Sequence, residues 1–169
     1  MGACAGKAEE TARELARLAQ GDLTEIPRDA LWKATLSLMA DACAEIEDRA
    51  TAPLLYDALL PYTHTNTAVA AILPYGSMAR VVGRLATLLG RWDEAQGHFE
   101  TALDANARMG FTAWIAWTQL NYGDMLLRRD RSGDVEPAHE LLTSGLAFAR
   151  EAGMRKVWAD TERLLGSSL

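Results

Sequence analysis

Cysteine, histidine and proline are all scarce in this 169-residue chain, at two, three and five residues. Cys4 and Cys43 lie far apart, so no disulfide framework or cysteine-rich metal site is available; they read as a tail thiol and a small buried hydrophobe. His64, His98 and His139 are scattered, and none forms H-x-x-x-H or H-E-x-x-H with a neighbour. Neither a G-x-x-x-x-G-K-[ST] loop nor a G-x-S-x-G elbow occurs, so no ATPase or hydrolase chemistry is expected here. Basic excess is missing too: 17 Lys and Arg stand against 23 Asp and Glu, a formal net charge of −6. That argues against direct nucleic-acid binding. The longest apolar runs, such as "AVAAIL", are far too short to span a bilayer. The N-terminal "MGACAGKAEE" lacks an apolar signal core, which predicts a cytoplasmic protein.

What is present is alanine and leucine in helical patterns, and the patterns recur. Residues 48–60 read "DRATAPLLYDALL", 91–103 "RWDEAQGHFETAL" and 134–146 "DVEPAHELLTSGL". Ala52, Ala95 and Ala138 stand 43 residues apart. Four places on comes a large residue, Tyr56, Phe99 or Leu142. Seven places on comes Leu59, Ala102 or Gly145, and Leu60, Leu103 and Leu146 also align. A fixed period of this size indicates stacked helical hairpins. Upstream of each alanine lies another helix with a small residue inside it: Ala40, Gly83 and Gly123. Glycine in a helix interior costs about 1 kcal/mol against alanine, and close approach of the partner helix would offset that. Gly90 and Gly110 end helices as left-handed caps, and Asp93 and Glu94 suit the positive end of the next helix.

The expected helices span about 7–20, 29–46, 48–60, 75–89, 92–109, 112–129, 135–152 and 155–166. The chain reads as one domain, 1–169. A capping helix occupies 7–28, helix-pair repeats 29–61, 75–110 and 112–153, and a last helix 154–169. Asp29, after Pro27, is placed to cap the second helix. Residues 61–76, bracketed by Pro61 and Pro74, are too long for a hairpin turn between helices, and "RRDRSGD" (128–134) reads as a polar bend.

The small-x3-aromatic-x2-small spacing of Ala95, Phe99 and Ala102 resembles the second helix of a tetratricopeptide repeat. The first helix departs from that family, with Ala79 and Ala86 at its aromatic positions. The period is nearer the roughly 40–47 residues of HEAT and armadillo repeats than the usual 34 or so, but the residue pattern favours the tetratricopeptide reading. More broadly, "IPRDALWKATLSLMADACAEIEDRATAPLLYDALLPY" followed by "GSMARVVGRLATLLGRWDEAQGHFETALDANARMG" resembles the helical-repeat region of large actinobacterial ATPase regulators of the MalT-like kind. Those proteins often carry a LuxR-type DNA-binding domain or a nucleotide-cyclase domain. The resemblance implies an all-α, right-handed superhelix of antiparallel helix pairs acting as a non-enzymatic sensor or interaction module in a signalling or transcription-regulating protein.

If the first helices line a concave surface, Arg80 and Arg84 (i, i+4) share a groove with Trp117, Asn121 and Asp124 (i, i+4, i+7). Arginine suits a carboxylate, and Trp and Asn suit shape and orientation. The rival reading makes these solvated polar positions and Trp117 a core residue. Asp41, Asp124 and Asp160 could also face one another across the stacked first helices. The expected partner is a protein, a peptide or a small effector, with no cofactor, metal, nucleic acid or membrane. A second functional reading is a structural or oligomerisation module without a groove ligand. In it, Val157, Trp158, Thr161, Leu164 and Leu165 of the uncovered last helix would form a homodimer contact or meet a further domain. The "HTNTA" loop, 64–68, could be a polar ligand loop, and a small-molecule enzyme is the third and weakest reading.

Overall fold

Glycines and caps divide the chain into elements much as the sequence suggests. The computed structural model describes residues 2–19, 23, 26–69 and 73–167. Its helices are α1 (Gly2–Ala19), α2 (Trp32–Glu45), α3 (Ala52–Leu59), α4 (Met78–Leu88), α5 (Trp92–Arg108), α6 (Thr112–Arg129), α7 (Val135–Glu151) and α8 (Arg155–Ser167). The fold is all-α apart from one small β-hairpin, and no helix among the described residues is long and apolar enough to cross a membrane. Cys4's side chain lies outside the described residues.

The same stop signal ends successive helices. Gly90, Gly110 and Gly153 take φ of 72°, 68° and 68°, the left-handed region that closes a helix without a Cβ penalty. The residue after each donates back to the helix: Arg91 N to Ala86 O, Phe111 N to Asn106 O and Met154 N to Ala149 O. Glu47, 43 residues before Gly90, does the same job for α2 at φ 57°, with Asp48 N donating to Cys43 O. Asp48 then delays α3 to residue 52, because its Oδ1 accepts from Ala50 N and Thr51 N. Asp29 Oδ1 likewise accepts from Leu31 N just ahead of α2.

Residues 61–76 differ from expectation. After a 3-10 turn over Leu60–Tyr62, two antiparallel strands form, β1 (Asn66–Val69) and β2 (Leu73–Ser77). Of the two bracketing prolines, Pro61 falls in the 3-10 turn and Pro74 within β2. Gly76, at φ 76°, lies so close to Trp114 that a Cβ there would come within 2.8 Å of the ring. Ser77 caps α4, its Oγ accepting from Ala79 N, which moves the helix start from 75 to 78. The fully buried Asn106 fastens the hairpin to the helices. Its Oδ1 accepts from Ser77 N at 3.1 Å, and its Nδ2 donates to Thr118 Oγ1.

Packing follows the 43-residue pattern. Ala52, Ala95 and Ala138, and with them Tyr56, Phe99 and Leu142, are all completely buried. The large residue fills the slot that the glycine leaves. A Cβ on Gly83 would stand 2.9 Å from the Phe99 ring, and one on Gly123 would stand 2.7 Å from Leu142 Cγ. Each first helix packs on its own partner and on the next first helix: α2 on α3 and α4, α4 on α5 and α6, α6 on α7 and α8. The first helices therefore form a continuous row, each packed against its own second helix. Val157, Thr161 and Leu164 of α8 turn inward and are buried, which leaves Trp158, 39% exposed, as the large apolar residue on that helix's outer side. Replacing Ala95 by Leu should overpack the α4–α5 contact and cost about 1–3 kcal/mol; an unchanged melting temperature would contradict this.

Candidate functional site

The row of first helices brings charged residues from four helices to one surface. Asp41 and Glu45 lie one turn apart on α2, Arg80 and Arg84 one turn apart on α4, and Trp117, Asn121 and Asp124 on one face of α6. Lys156 and Asp160 face them from α8. Asp41 and Arg84 stand 43 residues apart and so occupy equivalent places on neighbouring helices.

Asp41 organises this floor. Arg80 grips it with two parallel bonds, Nη2 to Oδ2 at 2.7 Å and Nη1 to Oδ1 at 3.1 Å. Arg84 Nη1 donates to Asp41 Oδ1, and Tyr75 Oη to Oδ2 at 2.6 Å. Burial alone would raise the Asp41 carboxyl, but Arg80, Arg84 and the hydrogen bonds hold it well below the usual carboxylate range. Burial and the neighbouring carboxylate push Tyr75 up to about 12, so it stays a neutral donor. One carboxylate thus serves two guanidinium groups.

Arg80 is only 2% exposed. The sequence places it in the groove as a free anchor; the structure places it in the groove wall with its charge already engaged. Its Nη1 also donates to Asn121 Oδ1 at 3.2 Å, but Nε is a buried donor with no hydrogen-bond partner. Such a donor costs about 1–3 kcal/mol. The rings of Tyr75 and Trp114, with centroids 5.6 and 5.2 Å from Arg80 Cζ, offset part of this by cation–π attraction.

Two adjoining cavities open along this floor and share Glu45, Arg84 and Trp117. The first, about 400 Å³, is an aromatic slot walled by Tyr75, Trp114 and Trp117, with Arg80, Arg84 and Lys156 around it. The second, about 280 Å³, is a polar bay with Asn121, Asp124, Arg128, Asp160 and Arg163 on its walls. Of the five groove residues chosen from sequence, Arg84, Trp117, Asn121 and Asp124 line the bay, and Arg80, Arg84 and Trp117 line the slot. Asp124 and Asp160 meet in the bay, whereas Asp41 belongs to the slot. Lys156 Nζ reaches across to Glu45 Oε1 at 2.8 Å and joins α8 to α2 where the two cavities meet.

Sequence reasoning missed Glu45, Lys156, Tyr75 and Trp114 as groove residues. Glu45 had a signal, its place one turn beyond Asp41. Lys156 lies off the apolar stripe of α8, the stronger pattern in that segment. Trp114 had a weak one, since Trp114 and Trp117 cannot both face the same way as Ile115; Tyr75 had none, because it lies on a β-hairpin where the sequence shows only a connection.

Asp124 is the carboxylate held least favourably. Burial raises its pKa, and the nearby Arg128, Arg163 and Arg84 do not cancel that effect. Among the described residues no hydrogen bond reaches it, and Arg128 Nη1 comes only to 3.7 Å. A carboxyl whose folded pKa lies above its unfolded value contributes stability below the unfolded pKa and loses it as pH rises through the folded value. Asp124→Asn is therefore expected to raise the melting temperature at pH 7. The gain should shrink as the pH is lowered into the acid range, where the wild-type carboxyl takes up its own proton. An equal gain at pH 7 and in the acid range would contradict this.

The remaining reactive groups are engaged elsewhere. Cys43 is buried, donates to Asp48 O, and burial pushes its thiol up to about 12. Tyr56 Oη donates to Glu94 Oε2 at 2.7 Å and lies 3.1 Å from His98 Nε2, and none of the three lines either cavity. Among the described residues, no three His, Cys, Asp or Glu side chains gather as a metal site would require. Compared with protein-family models, with curated proteins and with solved structures, the chain matches none.

Proposed function

We propose that this chain is a non-enzymatic, tetratricopeptide-like interaction or sensor module of a cytoplasmic signalling or transcription-regulating ATPase, and that it binds a peptide, a protein domain or a small effector in the groove along α2, α4, α6 and α8. In this reading the stacked pairs form a right-handed superhelix, and the first helices line its inner surface. The carrying observation is the pair of joined cavities, whose walls combine aromatic faces with charged groups from four separate helices. Largely preformed concave sites with a few placed polar groups are where ligands bind. A ligand touching several repeats at once would stabilise one arrangement of them over another, which is what a sensor requires.

The test is a thermal-shift screen of the purified chain against peptide and metabolite libraries. It is run in parallel on Asn121→Trp, whose larger side chain should fill the bay, and on the slot variant Trp117→Leu. Ligands that raise the melting temperature of the wild type but not of one or other variant would support the reading. Ligands that stabilise the wild type, Asn121→Trp and Trp117→Leu all equally, or no stabilising ligand at all, would overturn it.

A further inference from the structure

We propose that the aromatic slot binds a small organic acid with a planar apolar body, its carboxylate facing Lys156 and Arg84 and its body lying among Trp114, Trp117 and Tyr75. This rests on the groove reading above and adds the ligand's class.

Three observations carry it. The slot is bordered by three cations, Arg80, Arg84 and Lys156, but by only two carboxylates, Asp41 and Glu45. Asp41 is saturated by donors, Arg84 reaches Glu45 only at 3.4 Å, and Lys156 divides its charge between Glu45 and Asp160 of the adjoining bay, so within the slot's own lining the cations outnumber the carboxylates. Next, Arg80 is 2% exposed, lines the slot, and keeps its Nε without a hydrogen-bond partner. Asp41 already engages the Nη atoms of both guanidinium groups, but the Arg80 Nε–H remains a donor that no resident group uses. Finally, Lys156 is about half exposed and held by Glu45 and Asp160 alone. Exposed pairs of this kind are weak and readily exchanged, so its ammonium can turn to a ligand. The space is right for one planar group: about 400 Å³ between aromatic walls. The adjoining bay carries the opposite balance, Glu45, Glu47, Asp124 and Asp160 against Arg84, Arg128 and Arg163, so a cationic head group would be drawn there and not into the slot.

Three probes with one ring system separate these possibilities: indole-3-acetate, indole and tryptamine, each titrated calorimetrically into the full chain. Indole-3-acetate should bind at least tenfold more tightly than tryptamine. Lys156→Ala should weaken it at least fivefold while leaving the melting temperature within a degree or two of wild type. Trp117→Leu should weaken indole-3-acetate and indole alike. Tryptamine binding as tightly as indole-3-acetate, or an unchanged affinity in Lys156→Ala, would overturn the proposal. If none of the probes binds while a hit from the library screen is still blocked by Asn121→Trp, the organic-acid assignment falls and the groove reading stands. If neither probe nor hit binds, both fall.

Discussion

Asp41→Ala is expected to cost about 3–5 kcal/mol, the usual result of removing one partner from a buried ion pair. For a chain of this length that is a drop of roughly 6–20 °C in melting temperature. The size follows from Arg80, whose charge at 2% exposure would be left buried without its carboxylate. Arg84 and Tyr75 would lose the same acceptor. Two controls isolate the cause. Arg80→Met combined with Asp41→Leu removes both charges and should recover much of the loss, because a buried pair replaced by apolar groups is often neutral. Acid should act like the mutation: a carboxyl held below its unfolded pKa contributes stability above about pH 4 and loses it progressively below that value. Thermal melts between pH 7 and pH 2 check this, with wild type converging on Asp41→Ala as the pH falls. A wild-type-like melting temperature for Asp41→Ala at pH 7 would mean that the groove floor is not held by this carboxylate.

Phe99→Ala is expected to cost about 3–5 kcal/mol, as truncation of a fully buried aromatic does. Phe99 is completely buried, stacks on Tyr122 with centroids 5.6 Å apart, and fills the space beside Gly83. Its loss would open a cavity where α4, α5 and α6 meet, and α4 cannot close it without moving Arg80 and Arg84. The variant should thus also lose affinity for any ligand of the groove, although Phe99 does not itself line the aromatic slot. Denaturant unfolding followed by far-ultraviolet circular dichroism gives the stability. A loss below about 1 kcal/mol would mean that the position is not a core contact.

Much of the fold was legible because the repeat constrains backbone and side chains together. The alanine, the large residue four places on and the closing glycine each recur, and each answers to a packing or conformational need that one helix alone would not reveal. Ala40, Gly83 and Gly123 illustrate the limit. Gly123 lies only 40 residues after Gly83, off the 43-residue register, yet it receives Leu142 as Gly83 receives Phe99. The longer α6–α7 connection, with Asp130 and Gly133 both at positive φ, restores the register. Glu47 shows the opposite case, a turn whose geometry persists where glycine is absent. The β-hairpin was not legible: β1 and β2 are short, Pro74 sits within β2, and what holds β2 in place is Asn106, almost thirty residues away. Arg80 was placed on the correct face, but a helical wheel cannot tell a groove-lining arginine from a buried one. The clue was Asp41, one repeat behind Arg84, since equivalent positions on adjacent first helices are neighbours.

The account turns on glycine slots filled by the large residue of the next helix, because that nesting sets the row of first helices and so the groove. A double-mutant cycle on Gly123 and Leu142 tests it most directly. A Cβ at 123 would lie 2.7 Å from Leu142 Cγ and 3.3 Å from the Ala138 carbonyl oxygen. Gly123→Ala should therefore destabilise the wild type despite alanine's intrinsic helix preference of about 1 kcal/mol. In a Leu142→Ala background the same change should cost little or become stabilising, a coupling of about 1–3 kcal/mol. Additive costs, with the two changes independent of each other, would contradict the nesting and the groove built on it.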